Sequence, residues 1–148
     1  MLHTESITSG TLETLKQLMR DETLQDFFLV GDTALALYMG HRRSIDLDLF
    51  TLHSFDAPRM RAYLTDRYGL SNAFVRKDTV KGTIAEIKID CITYAYPLLE
   101  RVHEEGGIRL CSLRDIAAMK LSAIADSGTR LKDFVDVACL STRLSLGD

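Results

Sequence analysis

The spacing of apolar residues along the chain predicts helices and strands in a mixed order. Leucine and methionine recur on one side of the first predicted helix, and an apolar run typical of a buried strand leads into Gly31. In chain order, we predict a helix over 11–22 capped by Thr11, a strand over 27–30, a helix over 33–39 ended by Gly40, a strand over 45–50, a helix from Asp56 to Tyr68, strands within 71–94, a short strand over 108–111, and helices over about 112–126 and 131–142. This order favours an α/β or α+β fold, with helices packed on a sheet.

Two of these strands carry charged residues at every second position. In the segment IDLDLF, Asp46 and Asp48 would project from the face opposite Ile45. The segment over 83–92 (TIAEIKIDCI) alternates again, and its polar face carries Glu86, Lys88 and Asp90. Taken alone, each pattern is more often a half-buried strand with a solvated polar face. If the two strands are neighbours, three carboxylates converge, and such a group is costly unless a cation neutralises it.

A turn precedes the first of these strands. Gly31 links a predicted strand to a predicted helix, and the free N–H groups at such a helix start are a natural seat for phosphate. We expect Asp32 to cap that helix by accepting hydrogen bonds from the same N–H groups.

The C-terminal third of the chain places charged residues on helices. Lys120 is one turn from Ile116 on an apolar stripe, so its ammonium either finds an anionic partner or reaches out to water. Farther along, Asp133 and Asp136 share one side of the last predicted helix, although Lys132 and Asp136 would also suit an exposed ion pair.

Composition narrows the class of protein. The chain has 148 residues, a formal net charge of −3 and three cysteines, which is typical of one cytoplasmic domain with reduced, buried thiols. We find no signal peptide and no apolar run long enough to span a bilayer, so no membrane association is expected. Zinc-like histidine spacing, a phosphate-binding P-loop and a calcium loop are all missing from the sequence.

Three blocks in a fixed order are similar to one protein family. The segments LVGDTALALYMGHRRSIDLDLFT, IKID and DIAAMKLSAIADSGTRLKDFVDVACL resemble the AbiEii/AbiGii toxin family of nucleotidyltransferases, part of the polymerase β-like superfamily. The resemblance runs from about residue 28 to residue 140. It implies a mixed sheet flanked by helices and a transfer of a nucleotidyl group from an NTP to an acceptor hydroxyl, dependent on Mg²⁺ or Mn²⁺.

The resemblance also assigns roles to residues of this chain. It implies that the metal ligands are Asp46, Asp48 and Asp90, which with Lys120 would form the catalytic group. It implies nucleotide contacts from Gly31, Asp32, Thr33, Ser44, Lys120, Lys132, Asp133 and Asp136. Its further implications are a cognate antitoxin as a partner and an RNA, such as tRNA, or a protein as the acceptor.

Two departures from the family pattern leave a second hypothesis open. Asp32 stands where the family usually has a second glycine or a serine, and its charge would repel phosphate unless it turns away or binds metal. We also expect a single domain over 1–148 that lacks most of the usual C-terminal helical extension. The alternatives are therefore a catalytically weakened fold that binds NTP or a partner, and a plain metal-binding or structural α/β domain.

Overall fold

Seven strands and four helices make up the part of the chain that the structure, a computed structural model, describes: residues 1–41 and 43–127. The helices are α1 (Ser9–Arg20), α2 (Gly31–Met39), α3 (Ala57–Tyr68) and α4 (Leu113–Ser127). The strands are β1 (Phe28–Val30), β2 (Leu47–Thr51), β3 (Ser71–Arg76), β4 (Thr79–Ile84), β5 (Ile87–Thr93), β6 (His103–Glu105) and β7 (Ile108–Leu110). Short 3₁₀ turns occur at Thr4–Ser6 and Glu22–Leu24.

All seven strands form one mixed sheet in the order β3-β4-β5-β2-β1-β7-β6. Strand β2 lies at its centre, parallel to β5 and antiparallel to β1, while β1 runs parallel to β7. The centre of the sheet is also the centre of the core, because Leu29, Leu47 and Leu110 are almost completely buried. The predicted mixed sheet flanked by helices is confirmed.

Helix α1 begins earlier than the sequence predicted. Its N-cap is Thr8, whose hydroxyl oxygen accepts a hydrogen bond from the Thr11 N–H at 3.2 Å. Thr11, the predicted cap, is buried inside the helix instead, and its hydroxyl lies 2.8 Å from that of Thr8. The predictions for the ends of the next helices hold, since Gly40 ends α2 with φ +64° and Asp56 caps α3.

The predicted strand over 45–50 starts two residues too early. Strand β1 has three residues, and its pairing with β2 ends where Val30 lies opposite Asp48. Ile45, which the alternation placed on the buried face, is 54% exposed in the loop before β2. Hydrogen bonds to other parts of the chain hold this loop, among them one from the Ser44 N–H to the Ser6 carbonyl oxygen at 3.2 Å.

The alternating segment 83–92 is a hairpin and not one strand. Strands β4 and β5 pair antiparallel around Ala85 and Glu86, which both adopt positive φ (51° and 68°). Glu86 therefore lies in a turn and not on the polar face of a strand. The edge of the sheet opposite β3 is β6, which was not predicted and which pairs with the predicted strand β7.

Helix α4 begins as predicted. The Ser112 hydroxyl oxygen accepts a hydrogen bond from the Asp115 N–H at 3.0 Å and lies 2.7 Å from an Asp115 carboxylate oxygen. The helix predicted over about 131–142 lies outside the described residues. In the part of the chain that is described, no helix is both long enough and apolar enough to cross a membrane.

Candidate active site

Two aspartates lie side by side at the centre of the sheet. In the parallel pairing of β2 with β5, Asp48 is the direct partner of Asp90, and both are half-buried. Because side chains alternate along a strand, the two carboxylates project from the same face. The sheet thus brings together two of the three acidic residues that the alternation singled out.

The Asp48 carboxyl group is the most perturbed part of this pair. Burial raises its pKa to about 7 from an ordinary value of 3.8, and the charge of Asp90 and a hydrogen bond with it add to the effect. Smaller contributions come from the charges of Asp32 and Asp46. Near neutral pH the site therefore favours a proton or a cation between these carboxylates.

The close approach of the Asp48 carboxylate requires a glycine at position 31. Its φ is +74°, and a Cβ atom built on it would lie 2.5 Å from Oδ2 of Asp48. Any side chain at this position would meet both a strained backbone and the carboxylate. The start of α2 therefore lies directly against the aspartate pair, as the predicted turn required.

Asp32 does not cap α2, which corrects the sequence prediction. The N-cap of α2 is Val30, which provides no side-chain hydrogen bond, and Asp32 belongs to the first helical turn. Its Oδ1 accepts instead a hydrogen bond from Nζ of Lys120 in α4. Lys120 is buried. Its helical spacing allowed either an anionic partner or an extension of the ammonium into water, and the first prediction is the correct one.

Thr33, Ser44 and Asp46 meet beside the same helix start. The Thr33 hydroxyl lies 2.7 Å from the Ser44 hydroxyl and donates a hydrogen bond to the Asp46 carbonyl oxygen. This contact fixes the loop before β2 on α2. The Asp46 side chain is exposed, one residue before β2 begins.

The residues present fit a hard divalent cation in part. Asp48 and Asp90 offer adjacent oxygen ligands, but no group of three or more His, Cys, Asp and Glu side chains able to hold a metal ion occurs among the described residues. Magnesium usually binds through one or two protein carboxylates together with substrate phosphates, so two carboxylates are enough for that kind of site. Lys132, Asp133 and Asp136 lie outside the described residues.

Sequence reasoning missed two features near the pair. Lys81 on β4 is the direct strand partner of Asp90, and Phe50, on the same face of β2 as Asp48, stacks on Tyr94 with ring centroids 5.3 Å apart. Reading Ala85 and Glu86 as a two-residue turn would have placed Lys81 opposite Asp90. The contact between Phe50 and Tyr94 has no comparable sequence signal.

Comparison with known protein families identifies the family of this chain. A family model described as "Nucleotidyl transferase AbiEii toxin, Type IV TA system" matches residues 13–110. The chain belongs to this AbiEii family. The region of this chain that matches the family model includes Gly31, Asp48 and Asp90, while Lys120 lies beyond it.

One curated relative and two solved structures extend the comparison. This chain is 35% identical over 129 residues to the uncharacterized protein aq_aa25 of Aquifex aeolicus (strain VF5), with 84% of this chain covered. The match spans 62% of the relative's length, which is less than two thirds. The AbiEii chain is similar in structure to JHP933 from Helicobacter pylori (TM-score 0.60, 23% identity, 93% of this chain and 68% of that chain covered). It is also similar to ANT(2")-Ia in complex with adenylyl-2"-tobramycin (TM-score 0.60, 16% identity, 93% and 91% covered). These structural similarities establish the polymerase β-like nucleotidyltransferase fold.

Proposed function

We propose that this AbiEii-family chain transfers a nucleotidyl group from an NTP to an acceptor hydroxyl, with Mg²⁺ or Mn²⁺ as the cofactor. The observation that carries the proposal is the pairing of Asp48 with Asp90 on neighbouring strands, where the pKa of Asp48 is raised to about 7. A carboxylate pair held this close favours a cation, and phosphoryl chemistry depends mainly on positioning and charge neutralisation. Membership of the family supports the same chemistry.

Each residue of the site then has a proposed role. Asp48, Asp90 and the exposed Asp46 would hold the metal cation. When bound, that cation neutralises charge on the phosphates and polarises them. The turn at Gly31 would bind the triphosphate, with Thr33 and Ser44 next to the turn. The Lys120 ammonium would supply a positive charge to the phosphates. By resemblance alone, the proposal extends to Lys132, Asp133 and Asp136.

The reaction itself is a substitution at the α-phosphorus. The acceptor oxygen forms a bond to that phosphorus, and the bond to the bridging oxygen breaks so that pyrophosphate leaves with the electron pair. Asp90 takes the proton of the acceptor hydroxyl.

The biological setting is part of the proposal. The description of the family supports a toxin role in a type IV toxin–antitoxin pair, with a cognate antitoxin as partner. RNA, such as tRNA, and protein are the acceptors we propose to test. The free, buried thiols of Cys91 and Cys111 suit the reducing cytoplasm that we propose as its location.

One contact favours a second candidate function, in which the fold binds NTP or a partner without catalysis. Lys120, the proposed phosphate ligand, is paired with Asp32. A lysine held by a protein carboxylate binds a substrate anion less readily, because the ion pair must be broken or shared first. The experiment below separates this candidate from the enzyme.

The test is incubation of the purified protein with each α-³²P-labelled NTP, Mg²⁺, and total RNA or total protein. We expect Mg²⁺-dependent labelling of one acceptor class, and a loss of at least about 100-fold in Asp48→Asn and Asp90→Asn, because each change removes a proposed ligand of the cation that stabilises the transition state. Asp66→Asn, at an exposed position on α3, is the matched control and should retain full activity.

Two other outcomes have defined meanings. Mg²⁺-dependent NTP binding by calorimetry without labelling of any acceptor would support the binding module in place of the enzyme. Equal labelling by wild type and Asp48→Asn would show that the carboxylate pair is not the reactive centre.

A further inference from the structure

The ion pair between Asp32 and Lys120 joins two helices at the edge of the proposed site. Asp32 lies in the first turn of α2 and Lys120 in the third turn of α4, 88 positions apart in the sequence. Their side chains are 21% and 10% exposed. This is a largely buried contact, so breaking it without a replacement partner would carry a cost.

The position of the pair relates it to the carboxylates of the sheet. Asp32 follows Gly31, whose Cα lies against the Asp48 carboxylate. The Lys120 ammonium is therefore bonded to the residue that directly follows the glycine lying against Asp48. A phosphate group that enters beside Asp48 would meet this ammonium together with a second carboxylate, Asp32.

We propose that Asp32 is a positioning residue, which holds the Lys120 ammonium at the site in the free protein and releases it to the phosphates of an incoming NTP. This inference rests on the proposed function, since it concerns the nucleotide of that same site. The ammonium has three donors, so phosphate can replace the carboxylate without leaving the buried charge unpaired. Asp32 is thus an internal competitor of the substrate.

A competitor of this kind has a measurable consequence. The free energy needed to separate Asp32 from Lys120 is subtracted from the free energy of NTP binding, because a ligand must displace the contact that is already present. Removing the charge of Asp32 while keeping its shape should therefore tighten binding. The gain should depend on Lys120, since the competition is for its ammonium.

The experiment is a double-mutant cycle on Mg²⁺–NTP binding, measured by calorimetry at equal ionic strength. We expect Asp32→Asn to lower the Kd at least about tenfold, which corresponds to about 1.4 kcal/mol. In the background of Lys120→Met, the same Asp32→Asn change should alter the Kd by less than about twofold. Inorganic tripolyphosphate is the second probe, and it should show the same pattern if the phosphates alone compete.

Controls keep the test interpretable. Asp66→Asn removes one negative charge from an exposed position of α3 and should leave the Kd unchanged. Circular dichroism verifies that each variant is folded, and Asp32→Ala is a second variant in case Asp32→Asn fails to fold. Either variant removes the competing charge.

Three results would overturn the inference. Unchanged or weaker NTP binding by Asp32→Asn would mean that Asp32 does not compete with nucleotide. An equal gain in the presence and absence of Lys120 would mean that Asp32 acts on the phosphates by simple repulsion and not through the lysine. If neither wild type nor any variant binds NTP with Mg²⁺, the proposed function itself fails, and this inference fails with it.

Discussion

At the scale of single residues, Asp48 is where the fold and the proposed chemistry conflict. Its carboxyl group is half-buried beside Asp90, and its pKa is raised to about 7. A buried carboxylate next to another one destabilises the folded state when both are ionised. Natural proteins tolerate such costs at functional sites, so the conflict itself supports the assignment of this pair to function.

The conflict predicts a pH dependence of stability when divalent cations are removed. The folded pKa of Asp48 is about 7 and its ordinary value is 3.8, so protonated Asp48 favours the folded state. This contribution is complete below about pH 4 and is lost as the pH rises through 7. Wild type and Asp48→Asn should therefore be equally stable near pH 4, while at pH 8 the variant should be more stable by up to about 4 kcal/mol.

Urea unfolding in EDTA, at several pH values, measures this difference. The control Asp66→Asn should show no such trend relative to wild type, because Asp66 is exposed. A difference between wild type and Asp48→Asn that stays constant with pH would show that the pKa of Asp48 is the same in the folded and unfolded protein.

Sequence alone predicted the chemistry of several of these residues but not their contacts. The apolar row around Lys120 showed that a buried ammonium would need an anion. Its partner was beyond prediction, because Asp32 lies 88 positions away and the packing of α4 on α2 brings them together. The capping prediction for Asp32 failed for the same reason, since its carboxylate accepts a hydrogen bond from a buried lysine and not from the N–H groups of α2.

At the scale of elements, the hairpin of β4 and β5 sets the surroundings of Asp90. The turn fixes the register that places Lys81 opposite Asp90 on one side, while β2 places Asp48 on the other. Sequence periodicity carries only a weak sign of the turn, because the apolar positions shift phase, from Val80 and Ile84 to Ile87 and Ile89, across Ala85 and Glu86. Neither residue is typical of the positive φ that both adopt.

This turn gives a prediction about stability. Replacing Ala85 and Glu86 with Asn and Gly should raise the free energy of unfolding by about 1 kcal/mol, because these residues adopt positive φ more readily. Chemical denaturation measures the gain. Ala62→Gly on the exposed side of α3 is the opposite control and should lower stability by about 1 kcal/mol. Loss of stability in the Asn-Gly variant would show that the native side chains make contacts that outweigh backbone strain.

At the scale of the whole molecule, the candidate site draws on α2, β2, β5 and α4, which are far apart in the sequence. The order of elements was sufficient to predict a sheet with helices on it, and three sequence blocks were sufficient to predict the family. The short strand β6 and the start of β2 were harder, because a few residues carry too little periodicity, whereas the apolar run over 27–30 was enough to predict β1. Contacts outside the site also stabilise the fold that positions its residues.

Arg109 on β7 provides part of that cohesion. Its guanidinium donates hydrogen bonds to the carbonyl oxygens of Phe27 at 2.8 Å, Met19 at 3.0 Å and Leu24 at 3.0 Å. These acceptors lie just before β1, at the end of α1 and in the 3₁₀ turn between them. One side chain thus attaches three segments to β7, which lies two strands away from β2 and its Asp48.

The separation of scaffold from site can be tested with Arg109→Met. The variant loses three charge-assisted hydrogen bonds and leaves carbonyl groups unsatisfied, so we expect the free energy of unfolding to fall by about 2–4 kcal/mol. The folded variant should still bind Mg²⁺ with an affinity within about twofold of wild type, because Asp48 and Asp90 keep their register. Arg59→Met, at an exposed position of α3, should change neither quantity. Calorimetry measures the Mg²⁺ affinity, and urea unfolding measures the free energy of unfolding. A tenfold loss of Mg²⁺ affinity in Arg109→Met would show that the change at β7 reaches the carboxylates.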